Sequence, residues 1–348
     1  MPDIDRTYCA SSYLMYRTII NCNKSFCDKY PPHIYATPRN RIKVQTSEDL
    51  KKALESQIES ELSNGKKLAL CLSGGIDSAI LAKMVPRGTV AYTFKCIVPG
   101  VEVTDESVTA SKYAKECGLD HRIIKIYWED FENLLPNILK NKGMPCHSIE
   151  VQILKAALRA RDDGFDTLLL GESADCLYGG LGMLLSRDWT FGEFVERYSF
   201  LLPYKVLNNF TMDLSPFEKH EKGGFIDVHE FLGDIFYTES TNSYFNACSI
   251  ADVNCFCPYA NTILDAKLNL ELIRSGKNKY LIREIFEKLY PNFEIPPKTP
   301  MPRPMAEWFK NWSGPTRPEF RNNCVATLDG DQRWLVWCLE KFLNMIDD

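Results

Sequence analysis

The sequence predicts an α/β protein: an open, mostly parallel sheet with helices on both faces, followed by a mainly helical C-terminal part. Three observations predict it. Short apolar runs such as KLALCL and DTLLLG show no polar alternation, as strands buried on both faces do. Segments with helical spacing separate them at the length of βαβ crossovers. Beyond Gly180 no further clear strand alternation is visible.

Taken in order, residues 1–46 hold Pro31, Pro32 and Pro38 close together and read as an irregular N-terminal segment laid on the main domain. Thr46 or Ser47 then caps a helix whose first turn carries Glu48 and Asp49, favoured by the helix dipole. Leu50, Leu54, Ile58 and Leu62 recur every four residues and give it one apolar face, and Asn64-Gly65 ends it. Leu68 to Leu72 is a buried strand, followed by a glycine turn and a helix. Val90 to Ile97 is a second strand, DESVTASKYAKECG a helix ending at Gly118, and HRIIKIYW a third strand. SIEVQILKAALRARDDG supplies another helix and DTLLLG another strand, so residues 47–180 form the α/β core. In 181–348, WTFGEFVERYSFLL and NKYLIREIFEKLY have helical periodicity, and this part is expected to cover one sheet edge with its loops over the strand ends.

The chain has 348 residues, 45% hydrophobic and 25% charged, which excludes a disordered, collagenous or disulfide-stapled miniature class. Forty-one Lys and Arg against 46 Asp and Glu leave a formal net charge of -5, so neither nucleic acid nor an anionic membrane is an expected partner. No apolar stretch approaches the roughly 20 residues that span a bilayer. The start, MPDIDR, is acidic, and the expected location is the cytoplasm. Thirteen cysteines are scattered, several of them (Cys71, Cys96, Cys338) inside apolar stretches, as buried reduced thiols are. There is no CxxC pair; Cys22 with Cys27 and Cys255 with Cys257 come nearest. The histidines (33, 121, 147, 220 and 229) lie far apart, so no structural zinc is expected.

Ligands of open α/β sheets bind at the carboxyl ends of the strands, and two loops there carry chemistry. In LCLSGGIDSAILAKM, Ser73, Gly74, Gly75, Asp77 and Ser78 join a strand to a helix. Adjacent glycines let backbone N–H groups approach an anion, the hydroxyls add donors, and the helix start adds a positive dipole end: a phosphate or pyrophosphate cradle. No GKS or GKT follows, so it is not a Walker A loop. Asp77 suits a phosphate only with magnesium between them. The second loop, LLLGESADCLYGG, brings Gly171, Glu172 and Asp175, two carboxylates that can face the same metal and leave one acid for positioning or proton transfer.

The SGGIDS loop resembles the PP-loop of ATP pyrophosphatases, which split ATP between the α- and β-phosphates. More narrowly, GESADCLYGG is similar to the GEGSDE-type loop of the asparagine synthetase family, synthetase domain. CPYANTILD resembles that family's Pro-Phe-Leu-Asp segment, NKYLIREIF its Lys-Tyr-Leu-Leu-Arg helix, and PPKTPMPRPMAEWF its segment with a catalytic lysine. The resemblance implies that SGGIDS (Ser73, Gly74, Gly75, Ser78) grips the triphosphate of ATP, and that Asp77 and Asp175 bind magnesium. It further implies that backbone groups near Leu72, Cys96 and Gly171 hold the adenosine and that Lys298 stabilises developing charge. Glu172 is then the candidate for positioning an amine or taking its proton.

Such an enzyme activates a carboxylate as an acyl adenylate, releases pyrophosphate and passes the acyl group to ammonia or an amine. The family's glutaminase nucleophile is a cysteine at position 2, where this chain has Pro2, and the stretch before SGG is short for that domain. Free ammonia, a separate glutaminase or other ammonia-donor subunit, or a different amine is expected instead. Ser173, Ala174, Cys176 and Asn261 depart from the family pattern and put aspartate as substrate in question. Two competing readings are a PP-loop enzyme of sulfur insertion or tRNA modification, using Cys146, Cys176 or Cys257, and a nucleotide-binding subunit without catalysis.

Overall fold

A computed structural model describes residues 2–35, 38 and 40–348 of the chain. Five parallel strands form the central sheet: β1 (Leu68–Cys71), β2 (Val90–Cys96), β3 (Asp120–Ile126), β4 (Thr167–Leu169) and β5 (Asn254–Phe256). Their spatial order is β5-β4-β1-β2-β3. All four residues of β1 are buried, as expected of a central strand with both faces covered. From β1 the chain steps outward through β2 to β3, then returns to place β4 on the other side of β1. The order therefore reverses between β1 and β4, and a crevice opens at their carboxyl ends.

Local rules set the helices. α2 (Ser47–Ser63) begins on a capping box in which Thr46 and Asp49 satisfy each other's backbone N–H groups. α3 (Ile76–Met84) starts directly after Gly75, and α4 (Ser107–Cys117) stops at Gly118 in the left-handed conformation, φ 67°. α5 (Trp128–Lys142) and α6 (Ile149–Asp162) follow β3, and the short α7 (Ala174–Leu177) follows β4. α8 (Tyr237–Ile250), α9 (Tyr280–Leu289) and α10 (Gly330–Asp347) come from the C-terminal part. One set, α2, α3, α4 and α9, packs together on one side of the sheet, and α5, α6 and α8 pack together on the other.

Several features differ from the sequence reading, among them the end of β3 at Ile126, short of the Tyr-Trp of HRIIKIYW, with α5 beginning at Trp128. Within the N-terminal segment, α1 (Arg6–Tyr16) is a helix and is buried from Tyr8 to Tyr16; its Tyr13 hydroxyl donates to the Cys146 carbonyl at 3.0 Å. Its apolar and small polar residues alternate without a clean stripe because the helix is covered all round, which hides it from a periodicity search. The C-terminal part also reaches into the sheet rather than only over it: β5 pairs with β4, and α8 lies against α6 and β5. β5 is only three residues long, too short for alternation to register. All thirteen cysteines are unpaired thiols, most of them buried. Among the described residues no helix is long and apolar enough to cross a membrane.

Candidate active site

The crevice is a cavity of about 380 Å³ between the loops after β1 and β4, within the usual range for small-molecule sites. The first loop is tied to itself. Ser73 N–H donates to Ser78 Oγ at 3.0 Å, and Gly75 N–H donates to Ser73 Oγ at 3.1 Å. Gly74 is tightly packed: a Cβ there would lie 3.3 Å from the Glu106 Cβ, which would have to give by a few tenths of an ångström. Gly171, in the facing loop, is as tight: a Cβ would sit 3.2 Å from the Ser78 backbone nitrogen. The glycines thus let two loops approach at the start of α3, where unpaired N–H groups and the helix dipole attract anions.

Four charges meet at the mouth of this cavity. The Lys279 ammonium donates to Asp77 Oδ2 at 2.5 Å and lies 2.7 Å from Asp175 Oδ1. Lys298 donates to the same Asp175 oxygen and to the Gly180 carbonyl, each at 2.8 Å. Burial would weaken the Asp175 anion, but the Lys279 and Lys298 ammonium groups outweigh it and hold the carboxyl down at about 2. At Asp77 burial prevails: even with Lys279 opposing it, the carboxyl stands above its usual range. Burial opposes the Lys279 charge, and the two carboxylates more than offset it, so its pKa is raised. Asp77 Oδ1 is buried and has no hydrogen-bond partner among the described residues.

Glu172 lines the same cavity. Burial raises its carboxyl despite the hydrogen bond that Ser240 donates at 2.7 Å. The residue after it, Ser173, has φ 71°, a left-handed backbone that favours glycine. The sequence departs from the GEGSDE pattern in residue type here while retaining a backbone only a glycine adopts freely, at about 1 kcal/mol of strain. The Asn261 departure lies away from the cavity, where its amide donates to Gln57 at 2.9 Å.

Leu72, Ser73, Gly74, Gly75, Asp77, Ser78, Gly171, Glu172, Asp175 and Lys298 all line the cavity; Cys96 does not. The Cys96 backbone is in the β2–β3 ladder, and its thiol donates to the Pro302 carbonyl at 3.2 Å, under the segment that carries Lys298. Thr93 and Phe94, earlier on β2, line the cavity in its place. Sequence reasoning assigned no site role to Lys279 or Glu106. Lys279 stands inside NKYLIREIF, so the motif was visible and the direction of the lysine was not. The Glu106 carboxyl, pushed up to about 7 by burial although the Gly74 N–H bonds to it, sits against the glycine loop.

The cysteines that could support sulfur chemistry are poor nucleophiles. Burial raises the Cys146 and Cys176 thiols; at Cys257 the hydrogen bond with Cys255 is the largest single influence and lowers it, and burial together with the nearby Glu172 and Cys248 raises it on balance.

The family model described as asparagine synthase matches residues 49–243, more than half of the chain. The chain belongs to the asparagine synthase family. That family membership makes it a PP-loop, ATP-using protein and accounts for the position of SGGIDS at the start of α3. A curated protein of Methanocaldococcus jannaschii, named "Putative asparagine synthetase (glutamine-hydrolyzing) 1", is 25% identical over 145 residues, 41% of this chain. The chain spans about a quarter of that relative's length, 26%. Two solved structures are similar at low identity. NMN synthetase from Francisella tularensis shares 13%, with 74% of this chain and 100% of the other covered, at a TM-score of 0.29. The U34-tRNA thiolase NcsA from Methanococcus maripaludis with its 4Fe-4S cluster shares 19%, with 72% and 82% covered, at a TM-score of 0.28.

Proposed function

We propose that this member of the asparagine synthase family is an ATP-dependent carbon–nitrogen ligase. It activates a carboxylate as an acyl adenylate, releases pyrophosphate, and transfers the acyl group to ammonia or an amine. The observation that carries this reading is the convergence of Asp77, Asp175, Lys279 and Lys298 on one cleft between the two loops. A site for binding nucleotide alone has little use for two carboxylates and two ammonium groups at one point.

Asp77 and Asp175 fit magnesium. Carboxylate oxygens are the donors a hard cation prefers, and the unpartnered Asp77 Oδ1 has lone pairs to give. Among the described residues no group of three or more His, Cys, Asp or Glu could hold a metal by itself. Magnesium is commonly bound through one or two carboxylates and completed by substrate phosphates. When bound, magnesium supplies charge neutralisation at the triphosphate.

The remaining roles fall to this chain's own groups. Ser73, Gly74, Gly75 and Ser78, with the start of α3, hold the phosphates. Leu72, Gly171 and Thr93 border the space for the nucleoside. A substrate carboxylate oxygen forms its bond to the α-phosphorus as the bond to pyrophosphate breaks, and AMP then becomes a good leaving group for attack by the amine. Lys298 and Lys279 stabilise the negative charge gathered there, and Glu172 orients the amine or accepts its proton. Ammonia comes free or from a separate donor subunit, and the expected setting is the cytoplasm.

The test is to incubate the protein with ATP, magnesium, ammonia and a small-molecule extract, and to separate the nucleotides. AMP with pyrophosphate, and a product amide one mass unit lighter than its acid, are expected. ADP with orthophosphate would overturn the reading. Tight ATP binding without pyrophosphate from any acid would instead mark a non-catalytic subunit.

A further inference from the structure

A second, larger cavity of about 830 Å³ adjoins the cleft, and Gly180, Asn278 and Lys298 line both. Its walls join distant parts of the chain: Arg17 at the end of α1, His147 and Ser148 before α6, Tyr198 and Ser199, Arg303, and Trp334 of α10. The volume is that of a site for a drug-sized ligand, far more than an amino acid fills.

Unpaired polar atoms gather in this wall. Of ten buried side-chain nitrogen and oxygen atoms without a partner among the described residues, six belong to it: Arg17 Nε, His147 Nδ1, Ser148 Oγ, Tyr198 OH, Ser199 Oγ and Arg303 Nε. Each costs about 1–3 kcal/mol while unsatisfied, so their concentration in one wall marks a surface completed by something else.

Their chemistry is that of donors. Arg17 pairs with Glu239 at 2.7 Å and stacks on the Phe200 ring at 3.7 Å, with its Nε–H unused. Among the described residues, the ion pair of Arg303 is with the exposed Asp331, at 3.4 Å. Burial, with Arg17, Arg303 and Lys142 nearby, keeps His147 neutral. Arg17 donates to His147 Nε2 at 2.8 Å, so the ring proton lies on Nδ1, and Glu239 at 3.8 Å is too far to accept it. Two guanidinium groups, an imidazole N–H and three hydroxyls thus belong to residues of this wall, which also holds the carboxylates of Glu196, Asp329 and Asp331.

We infer that this chamber is the subsite for the carboxylate substrate. That substrate is a hydroxyl- or amide-bearing acid larger than aspartate with a second anionic group. Its reacting carboxylate lies at the Lys298 neck and its second anion at Arg17 and Arg303. The link to catalysis rests on the ligase reading above; the binding surface does not.

The experiment uses calorimetry on the full chain without nucleotide. The probes are citrate, D-glucuronate 1-phosphate and N-acetylglutamate, with aspartate and glucose as references. At least one of the three anions is expected to bind about tenfold or more tighter than aspartate, and glucose not at all. Arg303→Gln is expected to weaken that anion by about tenfold or more, since it removes a desolvated charge contact. Ser199→Leu, which adds bulk to the chamber wall, is expected to weaken it likewise, and fluorescent-ATP binding reports that each variant is folded. The inference is overturned if no anion outbinds aspartate, or if a folded variant binds it unchanged. Pyrophosphate release with aspartate that both variants leave unaltered would remove the chamber and spare the ligase reading. Anion binding that depends on Arg303, with no pyrophosphate from any acid, would keep the chamber and remove the ligase.

Discussion

Asp77 and Asp175, from loops nearly a hundred residues apart, share a single ammonium group, that of Lys279, at 2.5 and 2.7 Å. Lys279 is therefore a structural cation as much as a site residue. Replacing it with Met leaves the mostly buried Asp77 without its cation and Asp175 with Lys298 alone. Lys279→Met is expected to lower stability by about 3–5 kcal/mol, the usual cost of stripping one partner from a buried pair. Adding Asp77→Asn should recover part of that loss, and urea unfolding of the two single variants and the double variant measures the coupling.

Lys298 behaves differently because its side chain is 45% exposed. Lys298→Ala is expected to change stability by no more than about 0.5 kcal/mol. Pyrophosphate release should fall by about 10²- to 10³-fold, the range for losing one charge-stabilising donor. Equal melting temperatures with unequal rates would establish the contrast with Lys279; an unchanged rate would remove Lys298 from the chemistry.

Glu106 provides a pH signature. Its folded carboxyl stands at about 7 against an ordinary 4.5, so the folded chain holds a proton that the unfolded chain releases earlier. The contribution to stability is full below 4.5 and is lost as pH rises toward 7. Glu106→Gln keeps an acceptor for the Gly74 N–H and removes the titration. It should be more stable than the parent at pH 8, on the order of 2 kcal/mol, and gain little at pH 4. Thermal melts across that range test it.

Gly180→Ala places a Cβ 2.0 Å from Asp175 Oδ1 and 2.3 Å from Lys279 Cε, so the ion cluster must shift. A loss of about 1–3 kcal/mol and weaker ATP binding are expected. Gly192→Ala is the control. It meets nothing within 4 Å in the Phe191–Tyr198 helix and should be neutral or stabilising by up to about 1 kcal/mol.

Removing magnesium with a chelator should stop pyrophosphate release. Asp175→Asn should raise the magnesium concentration needed to restore it, as a neutral amide oxygen is a weaker donor to a hard cation. Titration of activity against free magnesium reads the shift, and identical titrations in the variant and the parent would exclude Asp175 as a ligand.

The nucleotide half was legible in the sequence because its signals are local. Apolar runs became β1 to β4, Thr46 capped α2 with Asp49, and Gly118 ended α4. The glycine loop and the carboxylates of GESAD came together because β1 and β4 flank the point where strand order reverses. What stayed hidden depends on distant packing. α1 is buried on all sides and shows no stripe, and β5 is three residues long. Lys279 reaches the cleft only because α9 docks on α2 and α3. Cys96 lies two residues beyond Phe94, the last residue of β2 to line the cleft, a distance that the pattern of apolar residues cannot measure.

The late arrival of β5 bears on how the chain matures. Until Asn254–Phe256 has been synthesised, the outer side of β4 keeps its hydrogen-bonding groups open, although the four preceding strands already exist. A nascent chain at that stage presents a sticky flank to its neighbours on the same messenger. Truncation products ending before Asn254 should therefore collect in inclusion bodies, even though both loops of the cleft are already present in them.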